Sequence, residues 1–66
     1  MLEQPTEKND LPEETRRELF HTLVQAQDQG AAVADSRRMV AGHFGVSEGQ
    51  VRRIEREGLD AHWPPL

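Results

Sequence analysis

Along the chain, Leu19, Phe20, Leu23, Val24 and Ala26 recur at helical spacing, while Glu13, Glu14, Arg17 and Glu18 fall on other faces. The run Asn9-Asp10-Leu11-Pro12-Glu13 predicts where this first helix opens. Asp10 is placed to accept from exposed amides, Pro12 lacks an amide that a first turn leaves unpaired anyway, and Glu13 completes a capping-box spacing. Gly30 is the expected stop. After the small-residue connector Ala31 to Ala34, Asp35-Ser36 predicts a second N-cap ahead of a short helix over Arg37 to Phe44, with Met39, Val40 and Phe44 apolar. Gly45 then suits a left-handed helix end, Val46 supplies an apolar turn residue and Ser47 a third N-cap. A third helix is predicted over about 48–57, with Gly58 as its terminator and Leu59 folded back onto Ile54. Trp63-Pro64-Pro65 cannot continue it, and Trp63 is expected to plug the bundle, a protein-docking anchor being its alternative role. No alternating run suggests a strand. The pattern therefore predicts an all-α domain of three helices over residues 10–66, preceded by a polar arm at 1–9 with too few apolar residues to order itself.

Length narrows the function. Sixty-six residues allow one small domain, and such a chain cannot wall a catalytic cleft on all sides, so an enzyme is not expected. With no cysteine there is no disulfide framework, thiolate metal site or cysteine nucleophile. His21, His43 and His62 lack a ligand pairing at helical spacing, so neither metal nor cofactor is expected. Glu13, Glu14 and Glu18 share an exposed helix with no cleft, which reads as capping and solubility. No apolar run reaches a membrane span, and the polar, acidic first ten residues are unlike a signal peptide, so the expectation is a cytoplasmic protein without membrane or small-molecule partners.

Charge changes the picture further. The net charge is −4, yet residues 1–35 carry eight acids against three bases, whereas residues 36–59 carry five arginines against three acids. Five of the seven arginines therefore sit in one 24-residue stretch. On the predicted third helix Val51 and Ile54 mark the inward side, and Gly49, Arg52, Arg53 and Arg56 cluster within roughly 100° on the opposite side. Glu48, Glu55 and Glu57 fall towards the flanks, with Glu48 spaced to pair with Arg52.

The stretch Arg37 to Ile54, RRMVAGHFGVSEGQVRRI, reads as a helix-turn-helix. Ala41 suits the close approach of two helices and Gly45 the turn, while Val40, Phe44, Val46, Val51 and Ile54 suit the inward faces. Over about a third of the chain, Phe44-Gly45-Val46-Ser47 to Val51-Arg52-Arg53-Ile54-Glu55 resembles region 4 of sigma-70-type factors, a bacterial-type DNA-binding helix-turn-helix. The resemblance implies sequence-specific binding of double-stranded DNA in transcriptional control, with base contacts at Glu48, Gly49, Arg52 and Arg53 and Arg56 one turn further on. In sigma factors the first of these positions is commonly basic and the second acidic. The resemblance therefore carries the fold and not the promoter target. Arg forks suit guanine acceptors in the major groove, Gly49 permits close approach, and Arg37, Arg38 and Ser47 are placed for phosphate. A lone module buries little surface on DNA, so a homodimer is expected, with Phe20, Leu23 and Val24 of the first helix as the candidate surface if its apolar stripe exceeds what one bundle can cover. The other reading is a protein-interaction module of the same fold, an RNA polymerase adaptor or an antitoxin-like or inhibitor subunit, using the acidic first helix. A DNA-bound protein would be nucleoid-associated.

Overall fold

The structure is a computed structural model and describes residues 11–66. It consists of three helices, α1 (Glu13–Asp28), α2 (Val33–Phe44) and α3 (Glu48–Ala61), each in contact with the other two. The fold is a small all-α three-helix bundle. The arm at 1–9 and the cap expected from Asp10 lie outside the described residues.

One apolar stripe from each helix builds the core. Leu19, Phe20 and Leu23 of α1 meet Val40 and Ala41 of α2 and Val51 and Ile54 of α3, with Leu11, Val24, Phe44 and Val46 packed around them. Trp63 completes the core from beyond α3, as the sequence predicts. Its ring meets Phe20 edge-on at a centroid distance of 6.0 Å, and the Arg17 guanidinium lies 5.0 Å from its centroid. Phe20 and Leu23 are wholly enclosed by their own chain, which removes the dimer surface expected on α1. Among the described residues, the large apolar side chains left exposed are instead Val33, Met39, Leu59 and Leu66.

Two helix boundaries differ from the sequence reading. α2 opens at Val33, on an extended Ala32 without a side-chain cap, and not after Asp35-Ser36. Ser36 is buried, with its hydroxyl donating to the Val33 carbonyl (2.8 Å) and accepting from Gln27 Nε2 (3.1 Å). A hydroxyl that sequence alone assigns to a cap thus joins α1 to α2, because both of its hydrogen-bonding roles are met inside the protein. At the other boundary, α3 runs through Gly58 to Ala61, and Leu59 is a half-exposed helical residue that does not fold back. His62 takes the left-handed position (φ 55°), with Trp63 N donating to the Gly58 carbonyl and His62 N to that of Leu59. Anchoring of Trp63 in the core places the chain reversal four residues later than the glycine suggests.

Two ion pairs strap the helices together. Arg16 of α1 forks onto Glu57 of α3 (3.0 and 3.1 Å) and also donates to the Leu11 carbonyl (2.6 Å). Arg37 of α2 reaches Glu55 of α3 at 2.9 Å.

Candidate nucleic-acid interface

α2 and α3 are joined by residues 45–47 alone, and each turn residue has a defined task. Gly45 adopts the left-handed conformation (φ 70°, ψ 35°), which lets Val46 N donate to the Ala41 carbonyl at 3.0 Å. Val46 packs against the core. Ser47 is extended and its hydroxyl accepts from Gln50 N at 3.0 Å, the N-cap predicted for α3. This tight turn fixes α3 against α2 and so decides which of its faces is free.

The exposed face of α3 is the arginine face. Val51 and Ile54 are fully buried, whereas Arg52, Arg53 and Arg56 are exposed. Ser47, Gly49, Gln50, Arg52, Arg53 and Arg56 together line one shallow, open depression on the α3 surface. Arg56 lies 3.9 Å from Asp60 in a loose, solvent-exposed pair, too weak to withdraw it from another anion. Among the described residues Arg52 makes no hydrogen bond or ion pair, so the expected Glu48–Arg52 pair is not formed.

The acids of this stretch are not arranged as charge counting suggests. Glu55 and Glu57 turn to the sides of α3 where α2 and α1 pack, and there they bind Arg37 and Arg16. Two of the four carboxylates of α3 are thereby paired within the fold, and Glu48 and Asp60 remain exposed. Of the eight residues singled out from sequence, Ser47, Gly49, Arg52, Arg53 and Arg56 come together in the depression, and Glu48 does not line it. Arg37 and Arg38 sit apart on α2. Arg37 is partly buried against Glu55, and exposed Arg38 lies 3.3 Å from Asp35.

Gly49 has a particular standing among the lining residues. A Cβ there would meet only Ser47 Oγ, at 3.8 Å, so nothing inside the protein requires a glycine in this first turn. Gln50 is the lining residue that the sequence reading missed. Its signal was the spacing Ser47-Glu48-Gly49-Gln50, which matches a capping box.

Among the described residues no group of three or more His, Asp or Glu side chains is arranged to hold a metal ion, and no helix is long and apolar enough to cross a membrane. Compared with protein-family models, with curated proteins and with solved structures, the chain finds no match in any of the three.

Proposed function

We propose that this protein binds double-stranded DNA sequence-specifically through α3, in transcriptional control, as the resemblance to region 4 of sigma-70-type factors implies. One observation carries the reading. Arg52, Arg53 and Arg56 share an open face with Ser47 and Gly49, while Glu55 and Glu57 of the same helix are drawn off into ion pairs with Arg37 and Arg16. A protein with a net charge of −4 thus presents a locally cationic helix face. In this reading α3 enters the major groove, its arginines fork onto guanine O6 and N7, and Gly49 lets the helix backbone come close. Ser47 and Arg38 meet phosphate from the turn and from α2. The segment is small for a specific interface, so binding by one copy is weak and strongly salt-dependent.

The test is fluorescence anisotropy of a labelled mixed-sequence duplex, at low and at physiological salt, with Arg52→Ala/Arg53→Ala alongside. Binding that weakens with salt and is lost in the double variant supports the reading. Absence of binding at about 50 mM salt, where phosphate contacts are least screened, sinks it and leaves a protein-binding module of the same fold.

A further inference from the structure

Gln50 stands where two local rules compete. The sequence Ser47-Glu48-Gly49-Gln50 has capping-box spacing, in which the serine hydroxyl accepts from the third amide and the glutamine side chain returns to the amide of the cap. The structure forms only the first half. Gln50 N donates to Ser47 Oγ at 3.0 Å, and among the described residues the Gln50 carboxamide makes no hydrogen bond at all. Gln50 is one of the residues that line the arginine-bearing depression, and it is half-buried. Its backbone is held by the cap while its polar end is left unused.

The chemistry of the depression makes this group distinctive. Arginine side chains only donate, so Arg52, Arg53 and Arg56 match acceptors: phosphate oxygens, or the O6 and N7 of guanine. Gln50 is the lining side chain that offers a donor and an acceptor in one plane. That pair complements adenine, which presents an N7 acceptor beside an N6 donor in the major groove. Gln50 and Arg53 are three residues apart, a rise of about 4.5 Å along the helix, close to the roughly 3.4 Å between successive bases of one strand. With α3 lying along the groove, that spacing suits contacts to neighbouring base pairs.

Building on the DNA-binding reading, we propose that Gln50 is a specificity-determining residue that selects an adenine beside the guanine contacted by Arg53. Its contribution is discrimination more than affinity. A carboxamide carries no charge and adds nothing to the salt-dependent attraction, whereas a bidentate match separates the right base from the wrong one by about 1–3 kcal/mol, roughly 5- to 150-fold.

Selection of bound duplexes from a randomised pool tests this, using the full chain, Gln50→Ala and Gln50→Glu, with helicity and thermal unfolding recorded for each. Alanine preserves the helix and removes both hydrogen-bonding groups, and glutamate keeps the shape but only accepts. The proposal expects an enriched site containing adenine next to guanine. In Gln50→Ala the adenine preference falls at least fivefold while the guanine preference and the salt dependence stay. In Gln50→Glu the preference at that position moves towards cytosine, whose N4 donates. A group that merely supported the helix would change stability and leave the base profile untouched. An unchanged adenine preference in Gln50→Ala overturns the inference and leaves DNA binding standing, whereas a wild-type chain that retains no duplex overturns both.

Discussion

Gly58 of α3 lies against the ring of Phe20 in α1 so closely that a Cβ at position 58 would fall inside van der Waals contact with three ring carbons, Cγ, Cδ1 and Cε1. Phe20 cannot give way easily, because it is fully buried and its ring also meets Trp63. The glycine is therefore a condition for α1 and α3 to meet, and through them for the placement of the arginine face.

Gly58→Ala is expected to destabilise the domain by about 1–3 kcal/mol, although alanine is the better helix former by about 1 kcal/mol. Chemical unfolding measures it. In a Phe20→Leu background the cost should shrink, and a double-mutant cycle without coupling would place the ring elsewhere.

Ser36 distinguishes an interior hydroxyl from a cap. Ser36→Ala leaves the Gln27 amide without its acceptor and should cost about 1 kcal/mol. Ser36→Asp separates the two roles more sharply, since an N-cap accepts aspartate as readily as serine, whereas a buried site must bury its charge. Cooperative unfolding of Ser36→Asp at wild-type stability would restore the cap.

Arg37 and Arg38 are neighbours with different work. Arg37→Ala removes the partner of the mostly buried Glu55 carboxylate and should cost about 1 kcal/mol of stability. Arg38→Ala removes an exposed, loosely paired guanidinium and should leave stability within about 0.5 kcal/mol, while lowering the slope of log K against log salt for DNA by about 1. Equal effects of the two variants on stability would contradict the Arg37–Glu55 strap.

Gly49 sets stability against function. With open space around its Cβ, Gly49→Ala should stabilise the fold by up to about 1 kcal/mol, read as a raised melting temperature. If α3 approaches a duplex through this position, the same variant binds DNA more weakly. A variant both more stable and equally good at binding would show that Gly49 does not face the partner.

Much of this was legible in local sequence. The apolar spacing around Leu19, Phe20 and Leu23, the left-handed turn at Gly45 and the cap at Ser47 follow from rules acting within one or two turns of chain, and all three appear as expected. The face bearing Arg52, Arg53 and Arg56 follows from the same periodicity, once Val51 and Ile54 are known to point inward.

What the sequence by itself determined is therefore the helix count, the turn between α2 and α3, and the composition of the exposed helix face. Only the tertiary structure decided the rest. Ser36 and Gly58 carry the local signatures of a cap and a stop, yet each answers to a partner far along the chain, Gln27 in one case and Phe20 in the other. Glu55 and Glu57 count as charges beside the arginines until packing hands them to Arg37 and Arg16. Local propensities amount to roughly 1 kcal/mol or less per residue, and burial of a ring or pairing of a half-buried carboxylate outweighs them.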